Sequence, residues 1–352
     1  MTSVSTIVLS SGFLIGIVFG AVGLISGFCV VSGLRNQWTK NDGRMIRSIA
    51  VAIAVAILGT QALSVMGYVD LGKSIYLAPS FSAPVVLLGG LLFGYGAVAA
   101  NACASRAMVL LGRGNLRSLV VIATIGVTAE MTLKGLIAPA RIALVNWSQT
   151  SFSAVSLPAF ISQAGVAPAL AAAIAALAAA AALLIYAFAY APFRESKLLI
   201  AAGLVMGLLV PAGWLVTGFI GADPFEPVPV ASLTFIAPIA DSLQYAMLST
   251  GSTANFGIVV MAGVLVGSFF AALVTRSFHV EGYTSAHHML RSVGGAAMMG
   301  VGGVMAFGCS IGQGLTGLST LAFPSAIAVF GILVGAAVAL RSPVRVVALA
   351  SA

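Results

Sequence analysis

Charge is what this sequence has least of. Of its 352 residues only 7% are Asp, Glu, Lys or Arg, against about a quarter in a soluble domain. That shortage excludes an ordinary water-facing surface. Cysteine is scarce too, with three residues, Cys29, Cys103 and Cys309. Three thiols make no disulfide framework, and their spacing matches neither a zinc site nor a CxxC redox pair. No GxxxxGK[ST] segment occurs, so nothing signals an ATP-binding loop. The net charge of +8 forms neither a basic tail nor a dense basic face, which argues against nucleic acid. The opening MTSVSTIVLSSG carries no positive residue, so no signal peptide is expected apart from the first apolar run.

What is present is hydrocarbon. Apolar side chains make up 60% of the chain, and its mean hydropathy is +1.13. Runs such as APALAAAIAALAAAAALLIYAFAY reach the roughly 20 residues that cross a bilayer. They lack the ten-residue alternation of barrel strands, and a backbone in lipid must satisfy itself, so helices are required. The expected fold is an all-α polytopic membrane protein, a single membrane domain over 1–352. It has about nine transmembrane helices, near 7–34, 46–68, 84–111, 117–138, 166–190, 198–220, 253–275, 291–315 and 323–341. Residues 139–165 and 224–252 are apolar but broken by Pro, Ser, Gln and Asn. They read either as short membrane-dipping helices or as interfacial packing.

The few charges sort by side. Arg35, Lys40, Arg44, Arg47, Arg106, Arg113, Arg117, Arg194, Lys197, Arg276, Arg291, Arg341 and Arg345 account for thirteen of the sixteen basic residues. With alternating spans, all thirteen fall on one side. The positive-inside rule makes that side cytoplasmic, with the N-terminus outside and the C-terminus inside. Asp70, Lys73, Asp223 and Glu226 fall on the other.

A spacing recurs. Gly16, Gly20 and Cys29 stand as G-x3-G-x8-C, and Gly90, Gly94 and Cys103 repeat it. Ala296, Gly300 and Cys309 form a third copy with Ala leading; Gly203, Gly207 and Val216 form a fourth without the thiol. Two copies lie in 1–190 and two in 191–352, which predicts two pseudo-symmetric halves, inverted because the copies run in opposite directions. Glycines four apart also serve close helix packing, and a buried cysteine also serves as a small hydrophobe. All three cysteines at one repeat position favour more than packing. The stretches SGFCVVSGLR, NACASRA and FGCSIGQGLTG are too interrupted for continuous helices. A break at each cysteine would expose N–H groups and a positive dipole end to an anion.

The stretches GFCVVSG, LFGYGAVAANACASR and FGCSIGQGLTGLSTL resemble the YeeE/YedE family of sulfur transport proteins, over nearly the whole chain. The resemblance implies thiosulfate uptake across the bacterial inner membrane through an hourglass-like body of nine spans and short dipping helices. It implies that Cys29, Cys103 and Cys309 line the waist, with Cys103 meeting substrate from outside. Such proteins often work with a small cytoplasmic sulfur carrier of the TusA type. The resemblance implies no cofactor, no metal and no enzymatic turnover.

Thiosulfate is a dianion with a soft terminal sulfur, so neutral thiols suit it as weak donors, whereas a thiolate would repel it. Several weak contacts in series admit an ion without trapping it. Gln313 and Asn101 are candidates to offer amide N–H groups along that path, and Ser310, Thr316 and Ser319 hydroxyls; interhelical packing explains each as well. Arg106 reads either as an attractor at the inner mouth or as a topology anchor. Glu130 and Lys134, four apart, read as an interfacial ion pair, Asp241 as a weaker intramembrane candidate, and His279, His287 and His288 as solvated loop residues. A transporter of another small sulfur or selenium species, a membrane thiol-redox protein and a purely structural subunit remain open alternatives.

Overall fold

The computed structural model describes residues 4–223 and 228–342. Glu226 and Arg345, used above for sidedness, lie outside the described residues, as does the start of the segment 224–252. The first part of the chain forms α1 (Val4–Ser26), α2 (Val30–Lys40), α3 (Arg44–Val65), α4 (Ala83–Ala99), α5 (Ala104–Gly112) and α6 (Leu116–Leu133). Two short helices, α7 (Ala138–Ser148) and α8 (Leu157–Ser162), precede α9 (Pro168–Phe188) and the single turn α10 (Ala191–Arg194). Then come α11 (Lys197–Leu215), α12 (Ile236–Met247), α13 (Phe256–Val274), α14 (Ala286–Met305) and α15 (Phe323–Arg341). Extended pairing among the described residues consists of one two-residue ladder, Ser80 opposite Ser151 and Phe81 opposite Thr150, and two isolated bridges, Asn115 with Glu281 and Ser156 with Ala322.

Local chemistry sets the helix starts. Ser82, Asn115, Asn255 and Ser285 accept first-turn N–H groups at the heads of α4, α6, α13 and α14. Pro84, Pro168 and Pro324 occupy first turns, where their missing N–H costs nothing.

Eight segments are long and apolar enough to cross a membrane: 4–40, 44–65, 83–112, 116–133, 168–188, 197–220, 256–274 and 323–341. The remaining expected span, 291–315, differs. Its helix is α14, which opens with His287, His288 and Arg291 and stops at Met305, where Phe307 and Gly308 take positive φ. Residues Gly312–Gly317 then form a π-helical turn. The expected fourth span, 117–138, ends at Leu133, because Gly135 turns the chain into α7. Residues 139–165 hold α7 and α8 and stay largely exposed, whereas α12 in the second broken segment buries Ile236, Pro238, Ile239 and Ala240. The exposed faces are hydrocarbon, as Leu170, Ile174, Leu177 and Ile185 of α9 illustrate.

The repeated glycines have a geometric meaning. Gly16 and Gly20 of α1 lie against the backbone of Val260–Ser268 in α13, while Gly263 and Gly267 lie against Phe13 and Ile17 in return. The register increases on both helices, so the pair is parallel. Gly90 and Gly94 of α4 repeat the arrangement with Gly331 and Gly335 of α15. In the fourth copy, Gly203 and Gly207 of α11 meet Ser48 and Ala52 of α3, again in parallel. In the third, Gly300 of α14 meets Ile125 and Thr128 of α6. A methyl group at Gly20 or Gly94 would run into a facing carbonyl oxygen, so no larger residue fits at this separation.

The α4–α14 pair crosses the other way. Gly89 faces Gly302 and Ala306, and Gly96 faces Gly295 and Met299, so these helices are antiparallel. The segment after α4 therefore lies toward one end of the bundle and the segment after α14 leaves from the other. The basic residues gather at the first end. There Arg35 reaches Asn101 at 2.9 Å, the Arg47 guanidinium lies 4.1 Å from the centroid of the Tyr190 ring, and Arg113 donates to the Ser277 carbonyl at 3.1 Å. At the second end Lys134 pairs with Glu130 at 3.2 Å and Asp241 at 3.8 Å. Glu130 and Lys134 thus form the expected ion pair, and Asp241 joins it from α12.

Candidate functional site

Three helix breaks define the site, one directly before each cysteine. Gly27 (φ 68°) ends α1, Asn101 (φ 59°) ends α4, and Phe307 (φ 56°) ends α14. Each cysteine then restarts the ladder. The Cys29 carbonyl accepts from Gly33 N–H at 3.0 Å, Cys103 from Ala107 at 2.9 Å and Cys309 from Gln313 at 2.8 Å. Cys29 and Cys103 are the N-terminal caps of α2 and α5, where first-turn N–H groups have no helical partner. The fourth copy behaves otherwise: Val216 continues from α11 into the π-helical turn Val216–Ile220 without a break.

All three cysteines are buried and none is in a disulfide. Cys29 and Cys103, 74 residues apart in sequence, bring their sulfurs to 3.8 Å, a thiol–thiol hydrogen bond. Ser105 completes the pair with its Oγ 3.3 Å from Cys103 Sγ. Sequence reading missed Ser105, whose only signal was a hydroxyl two residues beyond the capping thiol. Cys309 stands in different company. Its Sγ accepts from the Gly312 N–H at 3.3 Å. An almost wholly apolar cavity of about 210 Å³ is lined by both Val30 and Ser310, the residues that follow Cys29 and Cys309.

The other candidates divide by what they already hold. Gln313 is buried and donates an amide N–H to the Ala306 carbonyl, so that part of its expected donor role is occupied. Its Oε1, like Ser310 Oγ, is buried without a hydrogen-bond partner among the described residues. Thr316 donates to the distant Leu233 carbonyl at 2.6 Å, and Ser319 donates locally to the Thr316 carbonyl at 2.7 Å while accepting from Trp214 Nε1 of α11 at 3.4 Å, so both serve packing between segments. Asn101 is exposed at the basic end, its Oδ1 engaged by Arg35. Arg106 donates to the Gly23 carbonyl at 3.0 Å, tying α5 to the last turn of α1. That bond supplies an orphan carbonyl at the end of α1 with a cation. His279 is engaged by Arg113 and Glu281. The described residues hold no cluster of His, Cys, Asp or Glu that could bind a metal.

Comparison with known proteins follows the same residues. The chain is 25% identical over 322 residues to a thiosulfate transporter, TsuA, of Escherichia coli K12, covering 87% of this chain and 86% of that one. It is 24% identical over 340 residues to the protein of the same name from Spirochaeta thermophila, covering 90% and 93%. A shorter match, 29% identical over 103 residues, reaches the probable transporter YedE of E. coli K12, covering 29% of this chain and 24% of that one. The family model described as sulphur transport spans residues 25–338, from just before the Cys29 break to the end of α15. This multi-pass membrane chain, with a cysteine after each of three helix breaks, belongs to the YeeE/YedE sulphur transport family.

Proposed function

We propose that the protein takes up thiosulfate across the bacterial inner membrane, along a narrow path on which Cys29, Cys103 and Cys309 pass the anion by weak hydrogen bonds from neutral thiols. The observation that carries this reading is the 3.8 Å contact of Cys29 and Cys103 at two helix breaks. Two relatives matched over most of their length bear the name thiosulfate transporter.

Cavities at both ends support a path. One of about 510 Å³, at the heads of α1 and α13, includes Ser232, Thr234, Asp241 and Asn255. Thr234 packs on Gly312, three residues after Cys309. A second, at the basic end, includes Asn101 and Ala102, directly before Cys103. If the basic end is cytoplasmic, an entering ion meets Cys309 before the Cys29–Cys103 pair, the reverse of the order the family resemblance implies for Cys103. The parallel pairs α1–α13, α3–α11, α4–α15 and α6–α14 support inverted halves, 1–190 and 191–352. In that scheme α1 corresponds to α11, α3 to α13, α4 to α14 and α6 to α15.

The test is uptake of labelled thiosulfate, sulfate and selenite into cells lacking other uptake routes, for wild type and each cysteine variant. Thiosulfate uptake that falls in Cys103→Ala and partly survives in Cys103→Ser is expected. An unchanged rate in Cys103→Ala removes the role assigned to it, and preference for selenite moves the reading to a related cargo. A cytoplasmic TusA-like carrier is a proposed partner, checked by uptake with and without such a protein. The 3.8 Å sulfur pair also favours a second reading, a thiol-redox protein. That reading requires Cys29 and Cys103 to cycle through a disulfide during turnover, which trapping thiols with an alkylating agent would reveal.

A further inference from the structure

The cavity at the basic end has its own chemistry. It measures about 90 Å³, and its polar lining includes Asn101, Arg117, Ser118, Tyr283, His288 and Arg291. Among the described residues no carboxylate lines it. Arg291 is the anomaly. Its Nε and Nη1 are shielded from solvent and have no hydrogen-bond partner among the described residues. Two shielded N–H groups of a guanidinium without acceptors are costly unless something accepts from them.

The surrounding groups leave that need unmet. Tyr283 Oη donates to the Arg117 carbonyl at 3.3 Å, and Arg117 Nε donates to the Gly282 carbonyl at 2.7 Å. Glu281, in the same loop as Tyr283, accepts from Asn115 at 2.9 Å and contacts His279. Asn101 has its Oδ1 engaged by Arg35. The lining thus combines two guanidinium groups, one with two vacant donors, with no anion of its own.

We infer that this cavity is a binding site for a small tetrahedral oxyanion, held through its oxygens by Arg291 with Arg117 beside it. The site differs from the thiol pair in the atom it recognises: guanidinium forks match oxyanion oxygens, whereas thiols suit a soft terminal sulfur. The volume admits one ion of that size and little else. Two sources share this chemistry, the transported ion after it leaves Cys103 and an oxyanion already in the cytoplasm. The inference rests on the proposed function only for the first.

The test uses the full chain in lipid nanodiscs and equilibrium binding of labelled sulfate, which has oxygens but no terminal sulfur. Saturable binding is expected, weakened about tenfold or more in Arg291→Gln, which loses a charge-assisted pair of contacts. Arg291→Lys should fall between, since it keeps charge but not the fork. Arg44→Gln, at the same end but paired with Asp42, should bind as wild type does and controls for bulk charge. Should Arg291→Gln fail to fold, Arg117→Gln and Arg291→Lys carry the same comparison. Displacement of sulfate by unlabelled thiosulfate at similar concentration identifies an exit site for cargo; failure to displace it identifies a site for cytoplasmic sulfate or phosphate. Lack of saturable sulfate binding by the wild type, or equal binding by the folded arginine variants, overturns the inference. Sulfate binding is read without transport, so a chain that binds sulfate through Arg291 yet moves no thiosulfate fails only the proposed function.

Discussion

The Cys29–Cys103 break and the Cys309 break are built from the same backbone device and furnished differently. At the first, two helix restarts converge, the thiols bond to each other, and arginines stand nearby. At the second, a lone thiol accepts from a backbone N–H, and the residues one and four places on, Ser310 and Gln313, bury Oγ and Oε1 with no partner among the described residues. A paired thiol has spent part of its hydrogen-bonding capacity on a neighbour. The segment of the solitary one holds vacant polar atoms, which in a buried setting are expensive unless a passing ligand or water uses them. The shared geometry therefore marks a position in the fold, and the side chains around it decide what that position does.

Variants can break this comparison. The largest effect is expected for Cys103→Ala, with thiosulfate uptake reduced about tenfold or more, since a contact in the path is lost along with the partner of Cys29. Next, the double variant Cys29→Ala/Cys103→Ala should be no worse than its worse single member, because residues in contact act as a unit. Adding Cys309→Ala to Cys103→Ala should instead multiply the losses; rates from initial uptake decide both. A mild thiol oxidant should join Cys29 to Cys103 and leave Cys309 free, read by mass spectrometry of alkylated peptides, with uptake stopped and then restored by reductant. A Cys29–Cys309 crosslink would redraw the pairing. The smallest effect is expected for Ser105→Ala, about fivefold or less in uptake, because one neutral hydrogen bond contributes about 1 kcal/mol at most sites. A loss as large as that of Cys103→Ala would make Ser105 part of the path.

Some of this was legible in the sequence and some was not, for identifiable reasons. Glycines four residues apart announce a close backbone crossing because nothing larger fits, so Gly16, Gly20, Gly90 and Gly94 pointed to real interfaces. Which helix each pair would meet, and that the pairs run parallel, depends on the whole topology. The breaks could be anticipated from interrupted stretches such as FGCSIGQGLTG, but Asn101 and Phe307 adopting positive φ could not. Residue type alone makes Gln313, Thr316 and Arg106 look available. Only the folded chain shows that Thr316 and Arg106 are committed to the carbonyls of Leu233 and Gly23. The meeting of Cys29 and Cys103 bridges 74 positions, beyond the reach of any local pattern. The expected span 291–315 is cut at Met305 by the break at Phe307 and Gly308, and His287, His288 and Arg291 at the head of α14 dilute a run otherwise rich in Gly, Ala and Met.

The bond from Arg106 to the Gly23 carbonyl carries one more consequence. It fastens α5, which begins at Cys103, to the last turn of α1, which ends just before Cys29. The two sulfurs therefore meet beside a clasp that holds the same two helices together. Swinging α5 away from α1 means unfastening the guanidinium as well as parting the thiols, so the separation of these helices is set jointly by a soft contact and a hard one.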